Sequence, residues 1–157
     1  MSEGELPEEN TIEAPWHVWV VGVLTLLFTL FGAFDYVMSQ SGNRAWMEAM
    51  VEPAGIEADV AVDYFSSFPL WADAVWAVGV WAGVGGALLL LMRRAAAYPV
   101  LLLSLGGLVL SNAYSMSNPL PGMTDGTATY VTVAVVFTVM LAITLYARAM
   151  RNAGVLR

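Results

Sequence analysis

The sequence has 157 residues, of which 59% are apolar and 12% are charged, with a formal net charge of −7. A water-soluble domain needs roughly a quarter of its residues charged, so this composition excludes an ordinary soluble fold and predicts that lipid surrounds the chain. The absence of cysteine and the single histidine, His17, exclude disulfides, thiolate metal sites and multi-histidine clusters, and the acidic balance argues against nucleic acid as a partner.

Residues 1–14 form an acidic tail without the basic start and short apolar core of a cleavable signal peptide, so we expect the first apolar segment to be retained. An apolar helix of about 20 residues crosses the hydrocarbon core of a bilayer. Four segments have that length, at about 16–38, 69–92, 98–115 and 130–149. The predicted fold is therefore all-α, a polytopic membrane protein whose four transmembrane helices form one domain over residues 15–151.

Residues 39–68, between the first two spans, are too polar to cross a membrane. Asn43 is suited to cap a short helix that runs to Val51, and a second short helix is predicted from Glu57 to Phe65. Both segments carry aromatic residues among charges, which is typical of helices that lie in the membrane interface.

The arginines predict the orientation of the spans. With four crossings, both termini and the connection between the second and third spans share one side, and that side holds five of the six arginines; Arg44 alone lies on the other. Positive charge is enriched on the cytoplasmic side of membrane proteins. We therefore expect a bacterial inner-membrane protein with residues 1–14 and 152–157 in the cytoplasm and residues 39–68 in the periplasm.

Small residues recur at helical spacing in the second and third spans. Such residues let helix backbones approach closely in lipid, where association depends on van der Waals contact. They predict a packing seam between these two helices, although a glycine face that receives a partner helix or a flat pigment ring is the alternative. The residues are Gly79, Gly83 and Gly86 in the second span and Ser104, Gly107 and Ser111 in the third.

Two carboxylates fall inside the predicted spans, Asp35 about one turn before the end of the first and Asp73 about one turn into the second. Ionisable groups at membrane depth are costly and mark candidate functional sites. At 1.5 Å per residue, both lie about 5–6 Å inside the same boundary. Polar side chains at a similar level complete a predicted polar layer, namely Tyr36, Ser111, Asn112 and Tyr114.

Three interpretations of these aspartates stay open: a structural cap or salt bridge, a ligand or ion site, and exposure to water. The helix dipole favours Asp73 in a first turn, whereas Asp35 near a helix end needs a partner. A guanidinium would satisfy either carboxylate, and Arg44 is the cation on that side. We therefore expect Arg44 to pair with Asp35 or Asp73.

His17 opens the first span beside Trp16 and Trp19, where such side chains usually anchor a helix at the headgroups. Ligation of a pigment metal or transfer of a proton is the alternative. Catalytic motifs are absent, so the sequence predicts no enzymatic activity. It also predicts no cofactor, although bound lipid or pigment stays open.

The stretch from Phe68 to Arg94, followed by the segment from Ala97, resembles a family of small four-span bacterial inner-membrane proteins that are often labelled "sugar transporter". The features that carry the resemblance are Phe68-Pro69-Leu70-Trp71-Ala72, Trp76-Ala77, the glycine run, the leucine run that ends at Arg93, and Ser104-Leu105. The resemblance covers about the central half of the chain. It implies the four-span fold and an inner-membrane location.

Two functions are compatible with this sequence. The first is an accessory or structural subunit that packs against other subunits of a respiratory or photosynthetic membrane complex, as small size and glycine faces suggest. The second is a small transporter or channel that works as an oligomer. Transporters usually bind substrate near the midplane between broken helices, whereas the predicted polar layer lies near one face, so the first function is favoured.

Overall fold

The computed structural model describes residues 15–123 and 126–157, so the predicted acidic tail at 1–14 lies outside the described residues. The helices are α1 (Trp16–Gln40), α2 (Arg44–Val51), α3 (Ala58–Ser66), α4 (Leu70–Leu91), α5 (Ala97–Ser117) and α6 (Thr127–Asn152), with a 3-10 turn at Glu52–Ala54. No strand occurs in this part of the chain. Four of the helices, α1, α4, α5 and α6, are long and apolar enough to cross a membrane. The predicted all-α, four-span fold is confirmed, and the chain is a multi-pass membrane protein.

Helices α4 and α5 form the most closely packed pair, and they run antiparallel. A Cβ atom built on Gly107 would lie 2.5 Å from the Cα of Gly79, and one built on Gly86 would lie 2.7 Å from the Leu101 side chain. Between these points, the Ser104 hydroxyl donates a 2.6 Å hydrogen bond to the Gly79 carbonyl. Only glycine permits this approach of the two backbones.

Helix α1 packs on another side of α4, also antiparallel. A Cβ atom on Gly22 would meet the Leu91 side chain at 2.5 Å, and one on Gly83 would lie 3.2 Å from the Thr29 methyl group and 3.0 Å from the Ser104 hydroxyl. Gly83 therefore lies between α1 and α5. Because α4 contacts both neighbours through small residues, it is the central helix of the bundle.

Helix α6 packs against α5 over only part of its length. Met140, Thr144 and Ala147 are buried, whereas no residue from 127 to 139 is. Where α6 does pack, its side chains join one apolar core with α4 and α5 that includes Leu90 and Leu101. The 127–139 half, about 20 Å of helix, is exposed except for a line of half-buried valines at Val133, Val136 and Val139.

The bundle has two chemically different ends. We name the arginine end for Arg93 and Arg94 of the α4–α5 turn and Arg148, Arg151 and Arg157 in and after α6. We name the acidic end for Asp35 and Asp73, and it also carries α2 and α3. These two short helices share a small core of Met47, Val51, Ala58 and Ala61. The predicted cap is confirmed, because the Asn43 side chain accepts a 3.0 Å hydrogen bond from the Trp46 amide.

At the arginine end, α4 and α6 each end with the same type of turn, but a different residue occupies its left-handed position. After α4, the Arg94 amide donates to Leu89 and the Arg93 amide to Leu90, and Arg93 has a φ of 56°. After α6, the equivalent left-handed position is occupied by Gly154, with a φ of 71°. Glycine takes this conformation without strain, whereas a residue with a Cβ is strained by about 1–2 kcal/mol.

Candidate functional site

Asp35 is held by a helix of the acidic end, not by a cation. The indole Nε1 of Trp46 in α2 donates a 3.0 Å hydrogen bond to a carboxylate oxygen of the half-buried Asp35. The Trp46 ring also meets Phe34 edge-on, with the ring centres 5.1 Å apart. Because Asn43 caps the first turn of α2, the indole is fixed above the end of α1.

Asp73 and Tyr36 connect α1 to α4 at the same end. The side-chain amide of Gln40 donates a 3.0 Å hydrogen bond to Asp73. The Tyr36 ring packs edge-on against Trp76, with centres 4.9 Å apart. Neighbouring residues of α1 thus face different helices, since Asp35 contacts α2 and Tyr36 contacts α4.

Arg44 does not serve the transmembrane aspartates, so the expected pairing with Asp35 or Asp73 is wrong. Its guanidinium makes a 2.5 Å ion pair with Asp59 of α3, and in the described residues no ion pair links it to the other two carboxylates. Both partners are largely exposed, at 66% and 60%. A pair this exposed stabilises a fold by about 0–1 kcal/mol. The pair joins α2 to α3, and both helices lie outside the apolar spans.

The remaining residues of the predicted layer have other neighbours. The side-chain amide of Asn112 and the hydroxyl of Ser111 both donate to the Leu108 carbonyl on their own helix, at 2.8 and 3.2 Å. Tyr114 packs against Phe68 and Trp71, with ring centres 5.1 and 5.2 Å away. The predicted layer is thus divided into separate local contacts.

A continuous aromatic cluster, which the sequence did not predict, joins those contacts. It brings the loop before α4 against α1, α3, α4 and α5, with successive ring centres 4.9–6.3 Å apart. Edge-to-face rings at such separations attract each other beyond their buried area. The members are Tyr36, Tyr64, Phe65, Phe68, Trp71, Trp76 and Tyr114.

Tyr64 fastens this cluster to the loop after α5. Its hydroxyl donates a 2.6 Å hydrogen bond to the Asn118 carbonyl. Burial raises the pKa of the Tyr64 phenol above its ordinary value, so the hydroxyl keeps its proton and remains a donor. Hydrogen bonds and ring contacts at the acidic end therefore hold α2 and α3 on the bundle.

At the opposite end, His17 has a partner that the sequence did not predict. Its Nδ1 lies 2.6 Å from the hydroxyl of Tyr146 in α6, and the two rings meet edge-on. This hydrogen bond joins the first and last spans, which are 129 residues apart in the sequence. His17 is thus positioned by a contact with α6.

These contacts fix the positions of the candidate residues, but they do not indicate a chemical reaction. Within residues 15–123 and 126–157, no group of three or more histidine, aspartate or glutamate side chains could hold a metal ion. No protein-family model matches the sequence, and neither a curated protein nor a solved structure matches it.

Replacement of Trp46 by phenylalanine tests the link between α2 and Asp35. Phenylalanine keeps an aromatic ring against Phe34 but removes the Nε1 donor, so Asp35 loses its hydrogen bond inside the protein. We expect Trp46→Phe to lower the free energy of unfolding in bicelles by about 1 kcal/mol. Trp19→Phe, at an indole that is half exposed on α1, is the control and should change it by less than about 0.5 kcal/mol. Equal effects of the two variants would show that the hydrogen bond contributes nothing.

Proposed function

We propose that this chain is an accessory or structural subunit of a larger respiratory or photosynthetic complex in the bacterial inner membrane. The observation that carries the proposal is the 127–139 half of α6, which has no buried residue although it belongs to an apolar span. Helices α1 and α4 bury residues along most of their length, and α5 does so from Ala97 to Gly107, while its other half contacts the aromatic cluster through Tyr114. A helix that is packed at one end and open at the other leaves a surface for neighbouring membrane helices.

The exposed side chains of this half suit contact with apolar helices. Val131 and Val135 are exposed by 58% and 55%, and the threonines at 132 and 138 return their hydroxyls to carbonyls of their own helix. Their hydrogen-bonding capacity is thus partly satisfied within α6. Association through such a surface depends on van der Waals contact and small residues, not on charge.

The network of contacts at the acidic end supports the same role. Hydrogen bonds and ring contacts hold α2 and α3 in place, so this end offers a partner a surface of fixed shape. Preformed surfaces bind with a smaller loss of conformational entropy than mobile loops. A subunit that contributes shape needs this rigidity.

Photocrosslinking in native membranes tests the subunit proposal. A photoreactive phenylalanine derivative at Val131 or Val135 should give discrete crosslinks to other membrane proteins. The same residue at Leu27, 60% exposed on α1, is the matched control and should give none. Absence of protein adducts at both α6 positions, together with a monomer in mild detergent, would contradict the proposal. Crosslinks only to a second copy of the chain would favour the oligomeric transporter instead.

We also propose that both termini lie in the cytoplasm, because five arginines lie at one end of the bundle and Arg44 alone at the other. The chain has no cysteine, so a single introduced thiol can be labelled without background. Ala54 and Ala153 are exposed at opposite ends. A membrane-impermeant maleimide should label Ala54→Cys in spheroplasts and Ala153→Cys only after lysis. The reverse pattern would contradict this orientation.

A further inference from the structure

An open cavity of about 270 Å³ lies at the arginine end, between the α4–α5 turn and the segment that follows α6. Its lining residues are Met92, Arg93, Arg94 and Arg157. Three guanidinium-bearing residues from two distant parts of the sequence therefore surround one space. Neither the seam between the helices nor the network of contacts at the acidic end uses this cavity.

The segment after α6 is fixed beside the turn. The Arg157 amide donates a 2.8 Å hydrogen bond to the Arg93 carbonyl, and the Ala95 amide donates one of 2.8 Å to the Arg157 carbonyl. Val155 and Leu156 are buried, at 4% and 3% exposure, and Leu156 belongs to the main core. The position of Arg157 is thus set by packing and by two backbone bonds.

The strained turn at Arg93 is a second indication that the surrounding structure maintains the shape of this cavity. Arg93 occupies a left-handed position that glycine occupies at the end of α6. Its Nε donates to the Val155 carbonyl at 3.3 Å, which draws the side chain towards the segment after α6. Strain that the surrounding structure maintains is a reason to look for a function of the strained residue.

Among the described residues, positive charge is concentrated at this end. Arg148 and Arg151 add two more positive charges, and the guanidinium of Arg151 lies 4.4 Å from the centre of the Tyr98 ring. All aspartates and glutamates of the described residues belong to the opposite end. The N-terminus of α5, which starts three residues after Arg94, adds the positive end of a helix dipole.

We propose that this cavity binds the phosphate of an anionic phospholipid, held by Arg93, Arg94 and Arg157. Guanidinium groups match the oxygen atoms of phosphate through paired hydrogen bonds. A lipid fits better than a soluble anion because the remaining wall is the apolar side chain of Met92, 62% exposed at the end of a transmembrane helix. Basic pockets between transmembrane helices bind headgroups at this level of the membrane. The proposal does not depend on the subunit role.

Native mass spectrometry of the full chain in detergent, titrated with phosphatidylglycerol or phosphatidylcholine, tests the site. We expect one phosphatidylglycerol molecule to bind in preference to phosphatidylcholine. Arg94→Gln and Arg157→Gln should each weaken its binding about fivefold, as expected for one arginine near a headgroup. Arg44→Gln removes the same charge at the opposite end and should leave the affinity unchanged.

Arg93→Gly separates lipid binding from folding. Glycine relieves the left-handed strain, so the unfolding temperature should not fall while the affinity for phosphatidylglycerol does. Equal binding of the two lipids, or an equal loss in Arg44→Gln and Arg94→Gln, would overturn the proposal. Displacement of the lipid by inorganic phosphate alone would show a site for a soluble anion and would also overturn it.

Discussion

The close contact between α4 and α5 is the constraint on which the rest of this bundle depends. Apolar helices in a bilayer gain no burial energy from association, because lipid tails are as apolar as their side chains. What holds them together is dispersion between closely fitted surfaces, which decreases steeply with a gap of even half an ångström. The contact of Gly79 with Gly107, and the serine hydrogen bond beside it, provide that fit.

The two ends of the bundle are stabilised by different means because the chain there leaves the apolar region. At the acidic end, polar backbone and aromatic side chains can form the bonds that fix α2 and α3 on α1 and α4. At the arginine end, the buried Leu156 and two backbone bonds hold the segment after α6. Helix α6 has buried residues on this side alone, and its other half, which has none, is largely open to lipid or to a partner.

The sequence predicted the features that depend on local pattern, and it missed those that depend on tertiary contact. Span length and hydropathy are local properties, so the four-span fold was predictable, and so was the Asn43 cap. The hydrogen-bond partner of Asp35 was not predictable, because an indole donor on a separate short helix leaves no periodic pattern in the sequence. Arg44 was assigned to the aspartates within the spans by charge alone, whereas the turns between α2 and α3 bring Asp59 closer.

Comparison of Gly107→Ala with Gly106→Ala tests the central role of the α4–α5 contact most directly. The new methyl group at 107 would meet the backbone of Gly79, whereas nothing lies within 4 Å of the same group at 106. We predict that Gly107→Ala lowers the free energy of unfolding in bicelles by about 1–3 kcal/mol. Gly106→Ala should leave it unchanged or raise it by up to about 1 kcal/mol. Equal effects at the two positions would contradict the account, because the stability of the bundle would then not depend on the distance between these backbones.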